Sequence, residues 1–137
     1  MRGYQYIIRH ALVVMMLLIP VNLLNAAEPV DLSLLPEEID RVDIYLLMGQ
    51  SNMKGRGKVP ELQQENPLIL NMNLADDLWY PAVHPLHKNV PPDEINPNDN
   101  AGVGPGLDFA RVMLKEDSNV LIALVPCARG GSKITQW

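Results

Sequence analysis

An α/β fold built on a parallel sheet is what this sequence predicts, and three stretches predict it. Val42–Met48, interrupted only by Asp43 at its entry, and Val120–Pro126 are apolar runs of strand length, each followed by a polar turn containing glycine. Such runs suit strands buried on both faces of a parallel sheet, although periodicity alone reads a buried helix segment the same way. Between them Pro105 opens a helix whose Leu107, Ala110 and Leu114 recur at helical spacing, with Val112 and Met113 widening the apolar face. A strand, a helix and a second strand in that order imply a parallel, right-handed crossover. In open α/β sheets chemistry gathers just beyond the carboxyl ends of the strands, so the two glycine-bearing turns are where a site belongs.

The chain has 137 residues, enough for one modest domain. Residues 1–27 read as a secretory signal. Arg2 and Arg9 form the basic start, Ala11–Pro20 the apolar middle, and Asn25-Ala26-Ala27 a small-residue cleavage site after Ala26 or Ala27. The uninterrupted apolar run, Ala11–Ile19, falls well short of the roughly 20 residues that span a bilayer, which favours cleavage over an uncleaved anchor. The expected location is therefore secreted or periplasmic, with no membrane association after cleavage. Cleavage would leave 9 basic against 16 acidic residues, a formal charge of −7. That balance argues against nucleic acid or anionic lipid as a partner. Cys127 is the single cysteine, so no intrachain disulfide forms, and a lone cysteine is compatible with export. Oligomeric state leaves no signature in the sequence.

Taken in order, residues 28–41 are a lead-in, extended as far as Leu35. Pro36–Asp40 is expected to form a single helical turn, with proline early and acids near the start. Arg41 and Asp43 flank the entry to the first strand. After it Gly49 permits a sharp turn, and Gln50, Ser51 and Asn52 place an amide, a hydroxyl and a second amide side by side. A Gly-x-Ser turn taken alone is most often only a helix cap. From Lys58 to Gly104 the chain is rich in Pro, Asn and Asp, with short strands expected at Leu68–Met72 and Asp77–Tyr80. This region is either a solvated wrapping loop or the rim of a substrate cleft. His84 and His87 in it resemble half a metal site. Without a third ligand at useful spacing they read as two surface histidines, and no metal or cofactor is called for. The helix from Pro105 ends in Glu116–Asn119. Gly104 and Gly106 do not make a phosphate loop, because they follow no strand and no lysine stands in the phosphate-binding position. Past the second strand, Gly130-Gly131 exposes backbone N–H groups that could point at a developing oxyanion, or forms a plain turn. No internal repeat or low-complexity tract is present.

Gly49-Gln50-Ser51-Asn52-Met53, directly after a strand and followed by Gly55-x-Gly57, resembles the first sequence block of the SGNH hydrolases. More narrowly it resembles the sialate O-acetylesterase-like branch, which includes the acetylxylan esterases of carbohydrate esterase family 6. Gly130-Gly131-Ser132-x-Ile134-x-x-Trp137, after Val125-Pro126-Cys127, is similar to a second block of that family. Gly104-Pro105-Gly106-x-x-Phe109-Ala110 and, more weakly, Trp79–Leu86 resemble it too. The α/β-hydrolase nucleophile elbow does not fit, because Met53 stands where its second glycine belongs.

The resemblance implies a three-layer α/β/α, flavodoxin-like fold of which residues 42–137 are the amino-terminal half. It implies Ser51 as nucleophile, and an oxyanion hole from the Ser51 N–H and that of Gly130 or Gly131. Gln50 and Asn52 flank the same substrate site. Family members carry the catalytic histidine in an Asp-x-x-His block, after a Gln-Gly-Glu block, and neither occurs here. The expectation is therefore a secreted serine esterase removing O-acetyl groups from carbohydrates of the acetylxylan or sialic acid type. It would be truncated before its histidine, and inactive and poorly stable as this portion alone. Two alternatives stand beside it: an inactive, carbohydrate-binding pseudoenzyme or fragment, and an esterase completed by a partner chain.

Overall fold

A computed structural model describes residues 27–88 and 100–136; the expected signal, apart from Ala27, and Trp137 lie outside the described residues. The elements are β1 (Arg41–Leu47), α1 (Ser51–Lys54), β2 (Ile69–Asn73), β3 (Leu78–Pro81), α2 (Gly106–Glu116) and β4 (Val120–Pro126). The strands form one sheet in the order β1-β4-β2-β3. β4 runs parallel to both β1 and β2, while β3 is antiparallel to β2. The fold is α/β as expected, but the sheet is mixed rather than purely parallel. The reason is local. The Asn73–Asp77 turn is too short for a crossover and folds β3 back as a hairpin. Asn73 Oδ1 accepts the Ala75 N–H at 3.2 Å, and Asp77 takes the left-handed conformation (φ 59°) that Asp tolerates.

β4 is apolar throughout because it is flanked on both edges and covered on both faces. Val120, Ile122 and Leu124 point to one side, into a cluster with Leu47, Ile69, Leu86, Leu107 and Ala110. Leu121 and Ala123 point to the other, with Leu70, against Val30, Leu35, Ile39 and Trp79. α2 supplies the first cover through Leu107 and Ala110, and the lead-in supplies the second. The lead-in is tied down by Val30 N–H donating to the Trp79 carbonyl (2.7 Å) and Asp40 N–H to the Asn119 carbonyl (2.9 Å). It is not wholly extended before Leu35. A 3-10 turn at Leu32–Leu34 is capped by the Asp31 carboxylate, which accepts the Ser33 N–H at 2.9 Å and is thereby held below its usual pKa. Pro36–Ile39 closes as a tight turn (Ile39 N–H to Pro36 carbonyl, 3.1 Å) rather than as a helical turn.

β1 departs from the expectation of a strand buried on both faces. It lies at the sheet edge, and Val42, Ile44 and Leu46 are 45%, 61% and 60% exposed. Its other face carries Tyr45 and Leu47 toward α2, where Tyr45 meets Phe109 edge-to-face (centroids 4.9 Å, interplanar angle 82°). The lead-in covers β4, β2 and β3 on the opposite face and leaves β1 open.

Candidate active site

β1 and β4 pair residue for residue from Arg41↔Val120 to Leu47↔Pro126, so they end level. Their two following turns are therefore neighbours. The Cys127 N–H donates to the Leu47 carbonyl at 3.2 Å, and the Arg129 N–H to the Gly49 carbonyl at 3.0 Å, extending the pairing past the strands. Between the turns lies a shallow hollow of about 370 Å³, lined by Met48, Gly49, Gln50, Ser132 and Ile134. Of the expected site residues Gln50 lines this hollow; Ser51, Asn52, Gly130 and Gly131 belong to the two turns that flank it at the carboxyl end of the sheet.

On the β1 side, Gly49 at φ 137° makes the reversal that an L side chain would resist. Gln50 precedes Ser51, which starts α1, closed by Lys54 N–H to the Gln50 carbonyl (2.9 Å) and Gly55 N–H to the Ser51 carbonyl (3.0 Å). First-turn N–H groups have no acceptor within a helix, so the Ser51 N–H is not used by α1 itself. Ser51 is half-buried, while Gln50 and Asn52 are exposed. On the β4 side, Gly130 is buried and Gly131 is exposed at φ 74°. This turn is fastened by Ser132, whose hydroxyl donates to the Arg129 carbonyl at 2.9 Å.

The serine turn is held from behind by a glycine-laced contact. Gly57 and Val103 exchange both backbone bonds (3.1 and 2.9 Å), and the Gly102 N–H donates to the Gly55 carbonyl at 3.0 Å. A Cβ on Gly55 would lie 2.5 Å from the Gly104 nitrogen, and one on Gly104 2.7 Å from the Met53 carbonyl oxygen. Helix α2 then starts against β1, where a Cβ on Gly106 would lie 2.6 Å from Leu47 Cδ1.

The two histidines are not on the surface: His84 is 8% and His87 2% exposed. Proline-rich sequence there packs down instead of looping out, because Ala82 and Leu86 on either side belong to the core. Gln63 clasps the His84 backbone, accepting its N–H at 2.7 Å and donating to its carbonyl at 2.6 Å. Burial pushes the His84 imidazole below its usual pKa, with Asp108 opposing and Arg111 adding to the effect. His87 Nε2 lies 3.4 Å from the Leu47 carbonyl oxygen, the group that also accepts from Cys127. Burial lowers the His87 pKa; the Leu47 contact opposes this, and the buried Lys54 ammonium adds to it. Neither imidazole is hydrogen-bonded to Ser51. Lys54, buried at the end of α1, is a residue that sequence reasoning passed over, and His87, expected at the surface, is buried against the Leu47 carbonyl. Lys54 stands one helical turn after Ser51, the only signal that could have found it.

Comparison with known proteins places residues 41–137 in a match to the family described as "Carbohydrate esterase, sialic acid-specific acetylesterase". A relative, a probable carbohydrate esterase from Arabidopsis thaliana, is 36% identical over 111 residues, which is 69% of this chain and 40% of the relative. The X-ray structure of that plant protein superposes with a TM-score of 0.57 at 33% identity, covering 71% of this chain and 43% of its own. The chain thus spans about two-fifths of the length of the curated relative it matches.

Proposed function

The chain belongs to the carbohydrate esterase, sialic acid-specific acetylesterase family, and from that premise we propose that it carries the serine half of an acetylesterase site acting on O-acetylated carbohydrates. The observation that carries this reading is the meeting of the Ser51 and Gly130-Gly131 turns at the level ends of β1 and β4. Ser51 Oγ attacks the acetyl carbonyl carbon, the sugar oxygen leaves as a hydroxyl with the proton that Ser51 gave to a base, and water then cleaves the acetyl–Ser51 ester to release acetate. The Ser51 N–H and that of Gly130 or Gly131 receive the tetrahedral oxyanion, where loss of one donor costs about 10²–10³ in rate. Gln50 and Asn52, exposed beside the hollow, contact the sugar.

The proton on Ser51 needs an acceptor. Neither described imidazole bonds to it, so the general base comes from outside the described residues. The wider domain is a three-layer SGNH fold, in which the open face of β1 is covered by further structure. Secretion or export to the periplasm, after cleavage at Ala26 or Ala27, completes the reading. The absent Ser51–imidazole contact also favours a second reading, a carbohydrate-binding protein without turnover.

The experiment supplies the missing base as free imidazole and follows acetate release from acetylated xylan and from O-acetylated sialic acid. Release dependent on the protein and lost in Ser51→Ala supports the esterase. Equal release by wild type and variant would leave only the binding reading.

A further inference from the structure

The two turns of the candidate site leave the sheet beside one backbone group, the Leu47 carbonyl. It ends β1, with Met48, Gly49 and Gln50 between it and Ser51. It accepts the N–H of Cys127, the first residue past β4, at 3.2 Å. A carbonyl oxygen has a second lone pair, and here a side chain takes it: His87 Nε2 lies 3.4 Å away. Because its partner is an acceptor, Nε2 carries the ring proton and the imidazole donates. The next tie between the turns is Arg129 N–H to the Gly49 carbonyl at 3.0 Å. The last peptide of β1 is thus fixed by one donor from the Gly130-Gly131 side and one from His87.

The segment that carries His87 is itself pinned. Gln63 clasps the His84 backbone at 2.7 and 2.6 Å, and Asn71 Nδ2 donates to the Leu86 carbonyl at 3.0 Å. The Leu86 side chain packs in one cluster with Leu47. Ala82 and Leu86 enter the core as apolar side chains, whereas residue 87, just as buried, is an imidazole. Burying a polar ring is unfavourable unless it makes a hydrogen bond. Among the described residues, the bond this ring makes is the one to the Leu47 carbonyl.

We propose that His87 is a positioning residue for the esterase site. It bonds to no reacting atom. Through the Leu47 carbonyl it sets where the Ser51 nucleophile stands relative to the N–H donors of the Gly130-Gly131 turn. The inference rests on the esterase reading above and adds a residue to it. Oxyanion donors act only from the right place, and a misplacement of about 1 Å costs up to about 100-fold in rate. The effect therefore falls on the chemical step and not on substrate binding.

The test compares three variants in the imidazole-supplied assay with acetylated xylan. His87→Gln puts an amide N–H where Nε2 stood. His87→Asn, shorter by one methylene, puts it where Nδ1 stood, and His87→Leu fills the space and donates nothing. Asn and Leu are expected to lower kcat by about 10- to 100-fold with KM unchanged, while Gln retains most of it. If the ring only filled the core, kcat would not follow the N–H. Equal kcat in the three variants, or a loss carried by KM, would overturn the role. A second measurement needs no variant to fold: the ¹⁵N shifts of the neutral wild-type ring are expected to show the Nε2–H tautomer. An Nδ1–H tautomer would overturn the role by itself. Release by wild type no greater than by Ser51→Ala would overturn the esterase reading and this role with it, whereas unaltered release in His87→Leu would overturn the role alone.

Discussion

His87 concentrates several consequences in one side chain. It is 2% exposed, with its Nε2 toward the Leu47 carbonyl and within the influence of the Lys54 ammonium. Its folded pKa lies below the unfolded value of about 6.5, so the unfolded chain binds more protons in the interval between them. The stability it contributes is therefore whole above about pH 6.5 and is lost as pH falls toward the folded pKa. His87→Gln keeps an N–H for the Leu47 carbonyl and removes the titration. Denaturant unfolding followed from about pH 7 down to about pH 5 is expected to fall less steeply in this variant than in wild type. His84, lowered in the same direction, accounts for slope that remains. An unchanged slope would mean that His87 is as protonatable folded as unfolded. Neither the burial of these histidines nor the Asn71 bond to the Leu86 carbonyl was legible in the sequence. Each depends on contacts with residues distant along the chain: Gln63 for the His84 backbone, Leu47 for His87 and Leu86 for Asn71. The positions of Ser51 and the glycine pair in turns after β1 and β4 were legible because a strand end followed by a tight turn is written in adjacent residues.

Among the elements, β4 was read to the residue, since both of its faces and both of its edges are covered and its apolar run admits no break. Helix α2 was equally plain, its acidic first turn (Asp108) and basic last turn (Lys115) agreeing with the helix dipole. β2 was harder. It is an interior strand with Ile69 and Leu70 fully buried, yet it is only five residues long and sits amid prolines and asparagines. β1 was found, but its environment was not: a continuous apolar run says that neighbours are wanted, not which side they stand on. The contact of β1 with α2 through Tyr45 and Phe109 can be weighed directly. A double-mutant cycle with Tyr45→Leu and Phe109→Leu is expected to give a coupling of about 0.5–1.5 kcal/mol, the range for edge-to-face ring pairs. Additive single effects would reduce the pair to simple area burial.

At the largest scale, the open face of β1 is an extended apolar surface of the described residues, bare wherever the further structure proposed above is absent. Val42, Ile44 and Leu46, with Met48 just past the strand end, are each 45% or more exposed, and the outer edge of β1 is unpaired among the described strands. Contiguous apolar surface beside a free strand edge promotes association. Ile44→Lys with Leu46→Lys is expected to leave the far-UV spectrum unchanged and to shift sedimentation velocity profiles toward monomer. Loss of the folded spectrum would show instead that the row is internal to the fold. The mixed character of the sheet belongs to this scale as well, because a hairpin and a crossover differ only in the length of the connection between two strands of similar composition.

The glycine lacing behind Ser51 has a consequence for how this domain can be recombined. Residues 55–57 and 102–104 are far apart in the chain, yet each leaves room for the other's backbone and for nothing larger. They behave as a lock and its key divided between two cassettes. A chimera that imports the serine segment from a relative must import the segment before α2 with it. A crossover point placed between them would join halves cut for different partners.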